Sequence, residues 1–184
     1  MTLRNLTVVA HRWLGLATSI VVVAAGLSGA LLVWPIGRGM ASWHTNLGLG
    51  RAGALIVLVG TWIAVALIAS GLYLWWKSRT LRVRTRAGWR AFVIDLHYSL
   101  GALTLLITLL IAATGALRPI LPQSQLHHVV TRLHLSAGFP APIKMVYTIG
   151  SIAVAVQGLT GILMWASKQR IFRRRSGGSP AFTR

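Results

Sequence analysis

Histidines are the residues of this chain best suited to chemistry, and they follow a regular pattern. The sequence has 184 residues with six histidines and no cysteine. On a helix, positions i and i+4 share a face, so a glycine four residues after a histidine leaves a gap in which a flat ring fits beside the imidazole. Four histidines have this spacing: His11–Gly15, His44–Gly48, His97–Gly101 and His134–Gly138.

The composition indicates a membrane protein. Hydrophobic residues make up 55% and charged residues 11%, far from the roughly 25% charged residues of soluble domains. Nineteen Lys and Arg face a single acid, Asp95, which gives a formal charge of +18. Because the basic residues flank apolar runs, we expect them to contact anionic membrane lipid and not nucleic acid. The lack of cysteine excludes disulfides and thiolate-bound metals within this sequence.

Four apolar stretches are each long enough to cross a hydrocarbon core of about 30 Å. We therefore predict an all-α membrane protein, a four-transmembrane-helix bundle in residues 1–170, followed by a basic disordered cytoplasmic tail in residues 171–184. The first apolar run exceeds the core of a signal peptide, so we expect it to be retained. The predicted spans are residues 8–34, 52–76, 96–117 and 145–167.

The distribution of Lys and Arg predicts that both the N and C termini are cytoplasmic, under the positive-inside rule. Two segments are rich in these residues: the connection between spans two and three, and the tail. The richer connection carries Lys77, Arg79, Arg82, Arg84, Arg86 and Arg90.

The sequence repeats itself. A shift of 86 residues places HRWLGL at His11 on HYSLGA at His97, and LSGALL on ATGALR. A shift of 90 residues places His44 on His134 and Gly71 on Gly161. Two hairpins repeated in the same orientation predict a bundle built from two parallel-repeat helical hairpins.

The repeat arranges the histidines as two pairs at two depths. His11 and His97, the inner pair, lie near the cytoplasmic ends of spans one and three, whereas His44 and His134, the outer pair, precede spans two and four. In a four-helix bundle the odd spans face each other diagonally, as do the even spans, and a porphyrin fits the diagonal gap. Imidazole is a good iron ligand, so we predict two haem groups per chain with these histidines as axial ligands.

Charged residues near the pairs have predicted roles. Haem propionates need cations, for which Arg12 beside the inner pair and Arg51 or Lys144 beside the outer pair are candidates. Asp95 does not share the helical face of His97, so we expect it to cap the third span, or else to pair with a nearby arginine.

His127 and His128 lie in a segment that we expect to form a short amphipathic helix on the outer membrane surface. Two interpretations are open: contact with an iron-bearing substrate or a donor protein, or simple solvation.

Several of these motifs resemble the PepSY-associated transmembrane proteins, a group that includes ferric-siderophore reductases of bacterial inner membranes. The resemblance rests on HRWLG at His11, GLYLWW at Gly71, DLHYSLG at Asp95 and TGAL at Thr114. It implies a multi-pass inner-membrane oxidoreductase that carries haem b on membrane histidines and delivers electrons to the periplasmic face. Larger members have a periplasmic PepSY domain between the first two spans, where this chain has only residues 35–51.

We therefore predict transmembrane electron transfer to a periplasmic acceptor, with a ferric siderophore as the candidate. The sequence has no glycine-rich nucleotide fingerprint, so the donor should be quinol or a separate cytoplasmic reductase. One alternative is a cytochrome b561-like, quinol-linked partner of a periplasmic enzyme or a superoxide-handling protein. Another is a haem-free transporter or accessory membrane subunit, which the lack of acids in the span interiors disfavours.

Overall fold

Helices make up the fold. The computed structural model describes residues 1–77, 79 and 81–176, and it describes side chains as far along the chain as Lys168. This part of the chain contains no strand. A 3-10 helix, Pro35–Met40, precedes the short helix α2. The α-helices are α1 (Leu3–Leu32), α2 (Ala41–Asn46), α3 (Gly50–Trp76), α4 (Trp89–Leu103), α5 (Leu105–Leu117), α6 (Gln125–Leu135) and α7 (Ala141–Ser176).

Three helices, α1, α3 and α7, are each long and apolar enough to span a membrane. The consecutive helices α4 and α5 pass the same test together, although they meet at 72°. The chain is therefore an all-helical, multi-pass membrane protein with three spans, or four if the bent pair counts as one. The predicted third span over residues 96–117 lies in this bent pair, which counts as a span only if the two helices cross the membrane together.

The bend between α4 and α5 coincides with threonine hydroxyls that bond to the helix backbone. Thr104 leaves helical geometry, with φ −99° and ψ 6°. Its Oγ1 donates to the carbonyl of Leu100 at 2.8 Å, and the Oγ1 of Thr108 donates to the carbonyl of Thr104 at 3.0 Å. Such bonds to the preceding turn compete with the backbone ladder and favour bending.

The helices pack so that the odd and even spans alternate around the bundle. Helix α1 lies most extensively along α7 and also contacts α3, whereas α4 and α5 pack against α3 and α7. Within the described residues, neither α1 with α4–α5 nor α3 with α7 makes an extensive contact. Side chains from α1 and α4 therefore approach each other across the bundle.

Close approach of α1 and α7 depends on a glycine. A Cβ atom added at Gly26 would lie 2.7 Å from the carbonyl oxygen of Ser151 and 2.8 Å from the amide nitrogen of Ala155, both on α7. Small residues at helix crossings allow this contact in membrane proteins. At the end of α1, Trp34 Nε1 donates to Thr148 Oγ1 on α7 at 3.0 Å.

Asp95 does not cap a helix, which corrects our preferred prediction and confirms the alternative of an arginine pair. It lies within α4 and is 4% exposed. Arg84 donates to its carboxylate through Nε (2.7 Å), Nη2 (3.0 Å) and the backbone amide (3.0 Å). Ser99 Oγ also donates to the carbonyl of Arg82 at 3.1 Å, so α4 holds the basic connection in place at two points.

Two further predictions concern the segment around His127 and the C-terminal tail. The segment around His127 is a helix, α6, capped by Ser124, whose Oγ accepts from the amide of His127 at 3.3 Å. Helix α7 continues through residues 171–176, so the expected disordered tail does not begin at 171. The rest of that tail, residues 177–184, lies outside the described residues.

Gly26→Ala should lower the thermal stability of the detergent-solubilised protein, because the new methyl group meets the α7 backbone. Overpacking of this kind typically costs about 1–3 kcal/mol. Gly15→Ala on the same helix is the matched control, since its Cβ would meet only Leu67 Cδ2 at 3.9 Å. Alanine also favours helix over glycine by about 1 kcal/mol, so the control should be unchanged or more stable. Equal melting temperatures for the two variants would contradict the close packing of α1 on α7.

Candidate metal centres

The structure brings four of the six histidines together as the two predicted pairs. The ring centroids of His11 and His97 lie 6.4 Å apart, and those of His44 and His134 lie 5.9 Å apart. All four side chains are partly buried. Two imidazoles bound to one metal through bonds of about 2.0 Å hold their centroids roughly 6 Å apart, so each pair is spaced to share a metal.

The inner pair is oriented by hydroxyl groups from neighbouring helices. His11 Nδ1 lies 2.8 Å from Ser70 Oγ on α3, and His97 Nδ1 lies 2.8 Å from Thr160 Oγ1 on α7. Each hydroxyl donates its own proton to a carbonyl in the preceding turn of its helix. The hydroxyl oxygen is therefore the acceptor from Nδ1–H, which leaves the Nε2 lone pair available for a metal.

The outer pair is oriented in the same way, with backbone carbonyls added. A carbonyl oxygen only accepts hydrogen bonds, so each Nδ1 that contacts one carries the proton. For His44 the acceptors are Ala25 O (3.1 Å) and Ser28 Oγ (3.1 Å), and for His134 they are Ile111 O (3.2 Å) and Thr114 Oγ1 (3.3 Å).

Every one of the four histidines thus uses Nδ1 for a protein contact. Within the part of the chain that the structure describes, no hydrogen bond reaches any of their Nε2 atoms. Metal-bound histidines typically have this arrangement, in which a contact to the distal nitrogen fixes the tautomer and the ring orientation.

Each hydroxyl that orients a histidine is followed directly by a glycine. A Cβ at Gly29 would lie 3.2 Å from His44 Cε1, at Gly115 2.9 Å from His134 Cε1, and at Gly71 3.4 Å from His11 Cε1. The fourth glycine, Gly161, has open space around it. Three of the rings therefore lie against a helix surface that a side chain would obstruct. The four dipeptides are Ser28–Gly29, Ser70–Gly71, Thr114–Gly115 and Thr160–Gly161.

The glycines that the sequence analysis selected have different surroundings. Gly48 and Gly138 follow the ends of α2 and α6 with φ +73° and +77°, so neither shares a helical face with its histidine. Gly15 faces Leu67, and a Cβ at Gly101 would lie 2.8 Å from Gln157 Nε2. The expected shared helical face was wrong for Gly48 and Gly138, and the Ser/Thr-Gly dipeptides are residues that the sequence prediction did not select.

Cations lie near both pairs, although not all are those predicted. Arg12 follows His11, and its Nε is buried without a hydrogen-bond partner. Arg51 is exposed. Arg118, at the end of α5, is close enough for its charge to act on both His44 and His134. Arg118 was not among the outer-pair cations predicted from the sequence.

Burial keeps the outer imidazoles neutral. It lowers the pKa of His134 to about 4, and the positive charges of protonated His44 and of Arg118 act in the same direction. Burial also lowers the pKa of His44, with a further contribution from Arg118. Because only the neutral ring offers a lone pair, both histidines are competent ligands at neutral pH.

The donor set fits a metal that brings most of its own ligands. No group of three or more His, Cys, Asp or Glu forms among the described residues, whereas a bare structural zinc ion usually takes four protein ligands. Two imidazoles on opposite sides fit a haem iron, whose macrocycle fills the other positions. Beside His11, a groove of about 260 Å³ opens between α1 and α3, lined mainly by apolar residues such as Leu6, Ala10 and Leu67.

Unpartnered polar atoms next to the pairs also fit a haem. Buried side-chain nitrogen or oxygen atoms without a partner occur four times in the described residues. One belongs to Arg12, beside the inner pair, and the others lie in α6 and its C-cap, around His134. The atoms are Arg12 Nε, His127 Nδ1, Thr131 Oγ1 and Ser136 Oγ.

Comparison with known families finds one match. The model of the family described as "PepSY-associated TM region" matches residues 35–119, which confirms the predicted resemblance over that segment. The matched segment includes His44 and His97, with two of the four Ser/Thr-Gly dipeptides. Comparisons with curated proteins and with solved structures found no match.

Acidification should destabilise the protein through the outer pair. The unfolded chain binds a proton at His134 near pH 6.5, whereas the folded chain resists it down to about pH 4. Stability is therefore complete above pH 6.5 and falls as the pH is lowered towards 4, by about 3 kcal/mol for this group.

Thermal unfolding of metal-free protein in detergent, followed from pH 7.5 to 4.5, measures this effect. His134→Gln should flatten the pH dependence, and His128→Gln, which changes an exposed histidine on the same helix, should keep the wild-type slope. A wild-type slope in His134→Gln would show that His134 does not carry the effect.

Proposed function

We propose that this chain, which carries a PepSY-associated TM region, is a di-haem b cytochrome of the bacterial inner membrane. It passes electrons from quinol or a cytoplasmic donor to a periplasmic acceptor. The observation that carries the proposal is the shared geometry of the two histidine pairs. Their ring centroids lie near 6 Å apart, every Nδ1 contacts a protein oxygen, and no Nε2 has a hydrogen bond to the described residues.

Each histidine pair has a defined role. His11 and His97 would hold one haem, and His44 and His134 the other. When bound, haem supplies an iron that accepts and releases one electron. With two imidazoles as its protein ligands, each haem would favour electron transfer over binding of oxygen or substrate at the metal.

The surrounding residues prepare these ligands. The hydroxyls of Ser70 and Thr160 accept from the inner imidazoles, which raises the electron-donating power of the ligand nitrogen and holds each ring in one orientation. Carbonyls do the same for the outer pair. Arg12 and Arg118 supply positive charge for propionate carboxylates at the inner and outer sites.

The two sites lie at opposite ends of the bundle, which suits transfer across a membrane. The inner pair joins the first third of α1 and the middle of α4 to Ser70, near the end of α3, and to Thr160, in the second half of α7. The outer pair lies where α1 and α5 end. With cytoplasmic termini, electrons enter at the inner pair and leave at the outer pair. A ferric siderophore is the acceptor that the family resemblance suggests.

The state of the single acid supports a cytochrome over a proton-coupled carrier. Carriers commonly use carboxylates inside the membrane as proton relays. Asp95 is the only acidic residue of the sequence, and Arg84 occupies both of its carboxylate oxygens. It is therefore engaged as an ion pair that anchors a connection.

Reduced-minus-oxidised visible spectra, with haem counted per chain, test the proposal. The wild-type protein should hold two haems, and His97→Ala and His134→Ala should each lose one. His128→Ala is the matched control and should keep both. A wild-type protein that takes up no haem after supplementation would overturn the cytochrome assignment, and loss only in His97→Ala would remove the outer site.

Thr160→Val should weaken the inner site while preserving side-chain shape. Loss of the hydroxyl removes the acceptor for His97 Nδ1, and such changes typically cost 10- to 100-fold in metal affinity. The imidazole also becomes less electron-donating, so the midpoint potential of the inner haem should rise.

Redox titration of Thr160→Val against Thr108→Val measures this shift. Thr108 is buried, and its hydroxyl bonds only to carbonyls of its own chain segment, so the control should keep both potentials. An unchanged inner potential in Thr160→Val would contradict a role for the hydroxyl in orienting His97.

A further inference from the structure

Helix α6 presents a row of polar side chains on the face that carries His134. Thr131 and His127 lie three and seven residues before His134, and positions so spaced share one face of a helix. The Nδ1 of His134 contacts α5, so this face is turned towards the bundle. A ligand held beside His134 would therefore also lie beside Thr131 and His127.

Two atoms of this row lack partners. His127 Nδ1 and Thr131 Oγ1 are buried and make no hydrogen bond to the described residues. Buried polar atoms are nearly always hydrogen-bonded, and leaving one unpaired is costly. Threonine in a helix usually bonds to the carbonyl one turn back, as Thr104, Thr108 and Thr114 do here, which makes the free hydroxyl of Thr131 unusual within this chain.

Comparison with His128 shows that the burial of His127 is specific to one face of α6. Its neighbour in sequence, His127, is turned inwards, whereas His128 is exposed, and their ring planes are 84° apart. Simple solvation, one of the two interpretations of this segment, therefore does not describe His127.

We propose that His127 and Thr131 bind a propionate carboxylate of the haem at the outer pair. This inference rests on the proposed function. A helix rises about 1.5 Å per residue, so Thr131 and His127 lie about 4.5 Å and about 10.5 Å along the axis from His134. They therefore extend from the iron ligand towards the rim of a macrocycle, where its carboxylates are.

The chemistry of the row suits a carboxylate. A histidine N–H and a threonine O–H are donors, and a carboxylate accepts from both at once. Arg118 supplies the positive charge that a partly buried anion needs, since its charge reaches both His44 and His134. Arg51, one of the two outer-pair cations predicted from the sequence, is exposed and contributes none of these buried donors.

The test compares binding of haem with binding of haem dimethyl ester, which lacks free carboxylates. The full chain carrying His97→Ala is used so that only the outer site remains. We expect haem to bind roughly 10- to 100-fold more tightly than the ester, the range for hydrogen bonds to a charged group. Adding Thr131→Val or His127→Phe should remove most of that preference, and adding His128→Phe should leave it intact.

Stability of the haem-free protein separates a binding role from a structural one. Valine has the shape of threonine and removes an unpartnered buried hydroxyl, so Thr131→Val should leave the melting temperature unchanged or raise it. Loss of haem preference without loss of stability supports the proposal. A lowered melting temperature together with an intact preference would overturn it.

Failure of this inference is distinct from failure of the proposed function. If the His97→Ala chain takes up no haem, the outer cytochrome site itself is wrong. If it binds haem and the ester equally, the site holds haem through the histidines alone, and only the role of His127 and Thr131 is overturned.

Discussion

The hydrogen bond from each histidine Nδ1–H to an acceptor on a neighbouring helix is the interaction on which this structure depends. It joins α1 to α3, α4 to α7, α2 to α1 and α6 to α5. The same bond fixes which nitrogen is free. Helix packing and the orientation of the imidazoles therefore depend on the same bonds. These bonds hold neighbouring elements together and leave Nε2 as the ring nitrogen without a hydrogen bond to the described residues.

The sequence repeat predicted which histidines meet, but not what supports them. Chemistry was assigned to the glycine four residues after each histidine, on the assumption of continuous helix. That assumption fails where α2 ends at Asn46 and α6 ends at Leu135. The dipeptides that contact the outer histidines were visible in the repeat, since LSGALL and ATGALR contain Ser28–Gly29 and Thr114–Gly115. Recognising them needs knowledge of which helices are neighbours, and composition does not supply it.

Hydropathy predicted the apolar spans, but it did not predict the bend within the third of them. Helices α1, α3 and α7 contain the predicted apolar runs, apart from residues 33–34. The third run is just as apolar, yet it bends by 72° beside Thr104. The role of Asp95 was also not predictable from its position in the sequence. Its place near the start of a span favoured a helix cap, whereas Arg84, eleven residues earlier, donates to both of its carboxylate oxygens.

Electron paramagnetic resonance of the oxidised full-length protein tests most directly whether each histidine pair shares one iron. Two axial imidazoles produce low-spin ferric haem, so we expect two low-spin signals and no high-spin signal. A high-spin ferric signal of comparable size would show an iron with an open axial position. That result would contradict the account, because at least one of the histidine pairs would then not bind its metal from both sides.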